Sequence, residues 1–289
     1  MATNIRILHN FLTDAGGVTL TGATPTDATQ YPVANVRDAR IRKVTRLADE
    51  SAAWLKFDFG AATQLKAWAF LHHNLTSAAT VRLWGHTSNL GDTAGDWNGV
   101  ATLVATFTHN NTGGGASGAS FITAGLITSG AAASELPPRH LNGVAYFAQS
   151  FQWWFFHIAD AANPAGYIEL GRVVGGVYVE PTRFLLANYA ADILDPGEEV
   201  QLEGVVQTMR RTQRRAHRYA LGFRNIAAAD LANHREMFLN VGNNQELLIN
   251  PRPESDLNEL IYGKLEGNMV VRKKVADYAD IEWTVLEAA

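Results

Sequence analysis

Apolar and polar residues alternate through the first part of the chain with the two-residue period of half-buried strands. Leu55, Phe57 and Phe59 fall on one side, Lys56 and Asp58 on the other, and Gly60 reads as the end of that run. Gln64 to Leu71 is nearly continuous apolar sequence with two aromatics, the pattern of a strand buried on both faces. Val81 and Leu83 flank Arg82, Ile168 and Leu170 flank Glu169, and a β-rich run continues from Val173 to Val179. Short strands separated by Gly and Asn turns, with no helix of more than two turns, predict a β-sandwich.

The period changes after Glu180-Pro181-Thr182-Arg183, where proline ends the β run and marks a domain boundary. Val200 to Gln207 and Arg218 to Phe223 read as strands, with Tyr219, Leu221 and Phe223 on one face. A helix is expected from an Asn225 cap to about Asn240, with Asp230 in its first turns and Gly242 as its stop. Glu246 to Asn250 is a strand halted by Pro251 and Pro253, and Ile281, Trp283 and Val285 alternate cleanly against polar neighbours near the end. The expected fold is mainly β: a sandwich over 1–180, then a smaller α+β domain over 181–289 with a single helix. A glycine-rich excursion near 110–134 interrupts the sandwich. It reads either as a mobile surface excursion or as an arm contacting a neighbouring subunit or surface ligand.

Composition narrows the function classes. Across 289 residues, 24 Lys and Arg against 28 Asp and Glu give a net charge of −4, which supplies no broad positive field for nucleic acid or anionic membrane. No cysteine is present, so disulfides, thiolate metal sites and cysteine nucleophiles are all excluded. The densest apolar run, Phe151 to Ile158, is strand-sized and too short to span a membrane. No signal-peptide pattern opens the chain, so a soluble product made in the cytoplasm is expected.

Candidate chemistry is sparse. His72 and His73 are adjacent, so on a strand their rings point to opposite faces and cannot share a metal. No H-E-x-x-H, G-x-S-x-G or P-loop pattern occurs, and the glycines at 113–118 lead into no Lys and helix. Neither a catalytic constellation, a metal site nor a cofactor is therefore expected. Arg210, Arg211, Arg214, Arg215 and Arg218 crowd one stretch between strands. They read as a phosphate-binding patch, a solvated loop or an inter-subunit contact, since guanidinium pairs well with carboxylates across interfaces. Trp84 and Trp97 are the aromatic candidates for a glycan platform, with Trp84 closer to a core residue and Trp97 the one retained as a ligand-binding candidate.

Several segments together resemble a known family. Gly22-Ala23-Thr24-Pro25, Tyr31-Pro32-Val33-Ala34-Asn35-Val36-Arg37-Asp38, Trp54-Leu55-Lys56-Phe57-Asp58-Phe59-Gly60, Leu71-His72-His73-Asn74-Leu75 and Val81-Arg82-Leu83-Trp84-Gly85 resemble a discoidin-type, galactose-binding-like jelly roll. Trp153 to Ile158 and Asn163 to Arg172 resemble its closing strands, so the likeness covers about 5–180. The order of elements after 181 is similar to the C-terminal part of distal-tail or minor-tail proteins of long-tailed bacteriophages, although there the hub domain usually comes first. The resemblance implies a structural virion protein of the tail tip, assembled in the bacterial host cytoplasm. Its implied partners are further copies of itself in a homo-oligomeric ring, a hexamer ahead of a trimer, and the tail tube and tail-tip hub proteins. The alternative is a carbohydrate-binding adhesin contacting host surface glycan.

Overall fold

The computed structural model describes residues 5–109, 119–121, 142–181, 186–194, 198–202, 205–209, 216–242, 245–251, 253, 260–275 and 278–288. Its strands are β1 (Arg6–Phe11), β2 (Thr19–Gly22), β3 (Thr45–Leu47), β4 (Ala53–His73), β5 (Thr80–His86), β6 (Thr102–His109), β7 (Ala119–Phe121), β8 (Asn142–Ala159), β9 (Ile168–Val179), β10 (Leu186–Leu194), β11 (Glu198–Leu202), β12 (Val205–Met209), β13 (Ala216–Ala227), β14 (Glu246–Asn250), β15 (Ile261–Val275) and β16 (Tyr278–Glu287). Two helices, α1 (Ala94–Trp97) and α2 (Ala228–Val241), and 3-10 turns at Leu12–Asp14 and Val33–Arg37 complete the described elements. The protein is mainly β, as the alternation predicts. No helix among the described residues is long and apolar enough to cross a membrane.

The chain forms two compact units, one of Met1–Glu180 with Leu248–Leu260 and one of Pro181–Leu247 with Ile261–Ala289. The first is organised by β4 and β8, which pair antiparallel from Ala53↔Ile158 to Leu71↔Asn142. Their register slips between Asp58 and Thr63. There Gly60 takes a φ of +71°, a left-handed conformation that glycine adopts without a steric penalty, and its N–H donates to Asp58 Oδ1 at 2.8 Å. Gly60 therefore bends the strand instead of ending it.

The bend folds the ribbon back on itself and closes the sandwich. Inward residues from its two halves meet across the core: Phe57 lies edge-on to Trp68 at 5.1 Å, and Trp68 stacks on Trp154 at 6.3 Å. Phe70 packs against Phe156 at 5.2 Å. All five rings are fully buried, each removal from water contributing about 1.5–3 kcal/mol. β2 adds to β4 and β5 to β8 in one half, and β6 adds to β5. In the other half β9 adds to β4, β1 to β9, and Leu248–Asn250 of β14 to β1. β3 also pairs with β9, while β7 pairs with both β6 and β8.

Asp160, just after β8, shows how the ends converge. Its N–H donates to the Glu50 carbonyl before β4, and its carboxylate accepts the Thr76 N–H after β4 at 2.8 Å. Both ends of β4 and the C-terminal end of β8 thus meet at one end of the sandwich, opposite the bend. This is the loop end.

The second unit carries the sheet order β10-β13-β16-β15, all antiparallel. Phe223 and Trp283 stack at 5.7 Å and meet His234 and Phe238 of α2. The helix begins later than the sequence suggests. Ala227 is its N-cap, while Asn225 sits at a φ of +54° with its N–H donating to Asp280 Oδ1. Asn225 tolerates that conformation as a turn residue and leaves β13 to run on to Ala227. Gly242, at a φ of +52°, does stop the helix. The span from Val200 to Gln207 is not one strand but parts of two, since β11 and β12 form an antiparallel hairpin.

Candidate functional site

The loop end gathers a cluster of polar and aromatic side chains from four segments of the first unit. Asp27 starts it: Oδ1 accepts the Thr29 and Gln30 N–H groups, an Asx turn that delivers Tyr31. Asn35 Nδ2 then donates to the Val44 carbonyl at 2.8 Å and Thr45 Oγ1 to the Pro32 carbonyl, pinning the β2–β3 connection. Arg46 follows on β3, directly opposite Glu169 of β9.

The Arg46 guanidinium lies over the rings of Tyr31, at 4.1 Å, and Tyr167, at 4.8 Å. Its Nε donates to Glu169 Oε2 at 2.7 Å, while Glu169 Oε1 is 3.4 Å from His72 Nε2. Burial pushes the Glu169 carboxyl up, but hydrogen bonds from His72 and Arg46 together outweigh it and hold it below the usual carboxylate range. Glu169 is thus a fixed anion that orients Arg46. The two terminal guanidinium nitrogens have no acceptor among the described residues and remain open to solvent.

Asn74 completes the floor, with Nδ2 donating to the Tyr167 carbonyl and Oδ1 accepting the Glu169 N–H, both at 2.8 Å. The loops beneath are locked. Asp160, almost fully buried, accepts from Thr76 and Asn163, and Asn163 also donates to the Asn74 carbonyl. The result is a preorganised surface offering two half-buried tyrosines, charge-assisted donors and a positioned amide, with no nucleophile–base pair.

The residues singled out by sequence lie elsewhere. Trp97 is fully buried, edge-on to Trp84 at 5.7 Å and tilted against Phe155 at 4.9 Å. Its indole N–H donates to the Gly91 carbonyl at 2.7 Å. It offers no ring face to a sugar, so the platform role is corrected to packing. Trp84 is likewise buried. Arg218 forms a bidentate pair with Glu266 of its own chain, at 2.6 and 2.7 Å. Arg210, Arg211, Arg214 and Arg215 lie outside the described residues, as does the 110–134 excursion apart from β7.

Sequence reasoning passed over the loop-end side chains as a group. Tyr31, His72, Asn74, Tyr167 and Glu169 all fall in segments that carry the family resemblance, where they stood as pattern and not as a site. Arg46 carries no signal in the sequence beyond its charge.

No family model and no curated protein matches the chain. Among solved structures, the family 32 carbohydrate-binding module of Clostridium perfringens NanJ in complex with galactose is 12% identical. That match covers 60% of this chain and 99% of the module at a TM-score of 0.37. Chitosan-binding module 1 of a Paenibacillus chitosanase/glucanase is also 12% identical, covering 58% of this chain and 100% of the module at a TM-score of 0.38. A Ruminococcus gnavus GH29 fucosidase in complex with fucose is 8% identical at a TM-score of 0.41. The match covers 59% of this chain but only 27% of the fucosidase.

Proposed function

We propose that the first unit is a non-catalytic carbohydrate-binding module whose ligand sits at the loop end, on Tyr31, Arg46, Tyr167 and Asn74. The observation that carries this reading is the Arg46 guanidinium, fixed between two tyrosines and a carboxylate with its terminal donors facing out. Sugar hydroxyls are recognised by such pairs of fixed charged donors, and tyrosine flanks supply apolar contact at little entropic cost. Solved carbohydrate-binding modules share the ligand class, galactose in the case of the NanJ module.

Calorimetric titration of the full chain with galactose tests it. Saturable binding is expected, weakened at least tenfold by Arg46→Lys, which keeps the charge but loses the planar fork. No binding of galactose by the wild type, or equal binding by the variant, would sink this assignment.

A second reading, an assembly subunit of a phage tail tip, is favoured by a separate observation in the second unit. The β11–β12 hairpin forms a two-stranded sheet of its own and pairs with no other strand among the described residues. Such a ribbon is marginal alone in water and gains stability from a partner. In that reading the second unit forms a homo-oligomeric ring with its copies and the first is displayed on the virion. Sedimentation of the full chain over a range of concentrations checks it; a monomer throughout counts against self-assembly.

A further inference from the structure

Arg46 enters the loop-end cluster from a connection whose charge sets it apart. Within residues 37–46 stand Arg37, Arg40, Arg42, Lys43 and Arg46 against the single carboxylate of Asp38. The chain as a whole carries a net charge of −4. This cationic run is therefore a local field confined to one segment, not a property of the whole surface.

Two sets of contacts hold the segment beside the site. At its base Asn35 Nδ2 donates to the Val44 carbonyl and Thr45 Oγ1 to the Pro32 carbonyl, so the chain leaves and returns at one place, between Tyr31 and Arg46. The Asp38 N–H donates to the Asn35 carbonyl and the Lys43 N–H to the Arg40 carbonyl, which keeps the excursion compact. Its tip is seated by Ile41, which is buried. A Cβ built on Gly171 would lie 2.1 Å from the Ile41 carbonyl oxygen and 2.8 Å from His72 Cβ, so Ile41 packs where a side chain on β9 would block it. Gly171 is two residues along β9 from Glu169, on the same face, and His72 reaches Glu169 itself. Arg40 and Arg42, on either side of Ile41, therefore border the cluster.

The carboxylates nearby do not cancel this field. Asp38 accepts from both Arg40 and Lys43, so one anion serves two cations. Glu169 is matched by Arg46 Nε. Asp27 is turned onto the Thr29 and Gln30 N–H groups, and Asp160 is buried against Thr76 and Asn163. The edge of Arg46 left open to solvent is its terminal one, two parallel N–H donors that match the two oxygens of a carboxylate. A sugar hydroxyl uses one such donor at a time and gains nothing from the surrounding charge. We infer that the loop end selects a sugar carrying a carboxylate, a uronate, with its two oxygens on the terminal edge of Arg46 and with Arg40 and Lys43 supplying the attracting field. The inference rests on the loop end being the carbohydrate site and names the class of sugar it prefers.

Galacturonate differs from galactose only at C6, where a carboxylate replaces the hydroxymethyl group, so the two sugars isolate the charge. Calorimetric titration of the full chain with each, at low and at high salt, is the test. At low salt galacturonate should bind at least about fivefold more tightly than galactose, and the gap should narrow at high salt as screening shortens the reach of the field. The double variant Arg40→Gln, Lys43→Gln should lose about threefold in galacturonate affinity while keeping galactose within about twofold of the wild type. Arg40→Lys with Lys43→Arg conserves the charge and should retain both affinities. Equal affinity for the two sugars overturns the inference and leaves carbohydrate binding at the loop end standing, as does a galacturonate preference that the neutralising pair leaves intact. Loss of galacturonate binding in the charge-conserving pair as well marks a packing role for these side chains and overturns it too. Binding of neither sugar by the wild type removes the loop-end assignment itself, and the inference with it.

Discussion

His73 makes the first unit sensitive to acid in a way that can be worked out in advance. Its ring is buried at the end of β4, where Nδ1 accepts the Leu75 N–H at 3.2 Å and Phe70 lies 5.1 Å away. Burial, with a smaller contribution from the His72 charge, holds its pKa down to about 3, against 6.5 in an unfolded chain. A folded-state value below the unfolded one means that the unfolded state takes up the proton first. The stabilising contribution is therefore complete above pH 6.5 and is lost progressively as pH falls from there towards 3. Each pH unit in that window removes about 1.4 kcal/mol, so roughly 2.7 kcal/mol is gone between pH 6.5 and pH 4.5. His73→Asn is the informative variant, because its amide oxygen can accept the Leu75 N–H yet cannot titrate. Urea unfolding of both proteins from pH 4.5 to 8, followed by tryptophan fluorescence, reports mainly on the first unit, since six of the seven tryptophans precede residue 160. The wild type should lose about 2–3 kcal/mol more than the variant over the acid half of that range. Parallel pH profiles for the two proteins would refute the assignment.

Other substitutions separate packing from binding. Trp97→Ala should cost about 3–5 kcal/mol in urea unfolding, as for a large aromatic removed from a sealed core, while galactose titration of the still-folded variant should change little. Gly171→Ala places a methyl 2.1 Å from the Ile41 carbonyl oxygen and 2.8 Å from His72 Cβ. Backbone must then move, so a loss of about 1–3 kcal/mol and weakened loop-end binding are expected together. Arg218→Ala removes a half-exposed ion pair with Glu266 and should lower the thermal midpoint of the second unit only slightly, with the difference fading further in high salt.

Much of this architecture could be read from periodicity, because strands that face a core on one side must alternate. Leu55 and Phe57, Ile168 and Leu170, and Ile281, Trp283 and Val285 are buried as their spacing demands. Punctuation was harder. Gly60 looks like a terminator in one dimension, yet a positive φ inside a paired ribbon produces a bend, and only the partner strand distinguishes the two. Asn225 has the composition of a helix cap but serves as a turn, since capping depends on dihedral angles that the residue type only biases. The loop-end cluster was the least legible feature. Its members span Tyr31 to Glu169, and nothing in local sequence brings Arg46 to Glu169 until β3 is set against β9. Trp97 erred in the opposite sense: a lone tryptophan among Gly, Asp and Asn looks exposed, but its own turn folds it under.

The hairpin-like course of β4 and β8 has a further consequence for how this chain can change over time. Because that ribbon doubles back, the last residues of β6 and the first residues of β8 lie at the same end of the sandwich. Chain added there lengthens a closed detour without disturbing any strand register, and the entropic penalty of closing such a detour rises only with the logarithm of its length. Lengthening of the chain between β6 and β8 is thus thermodynamically mild, and it leaves the aromatic interior inherited unaltered.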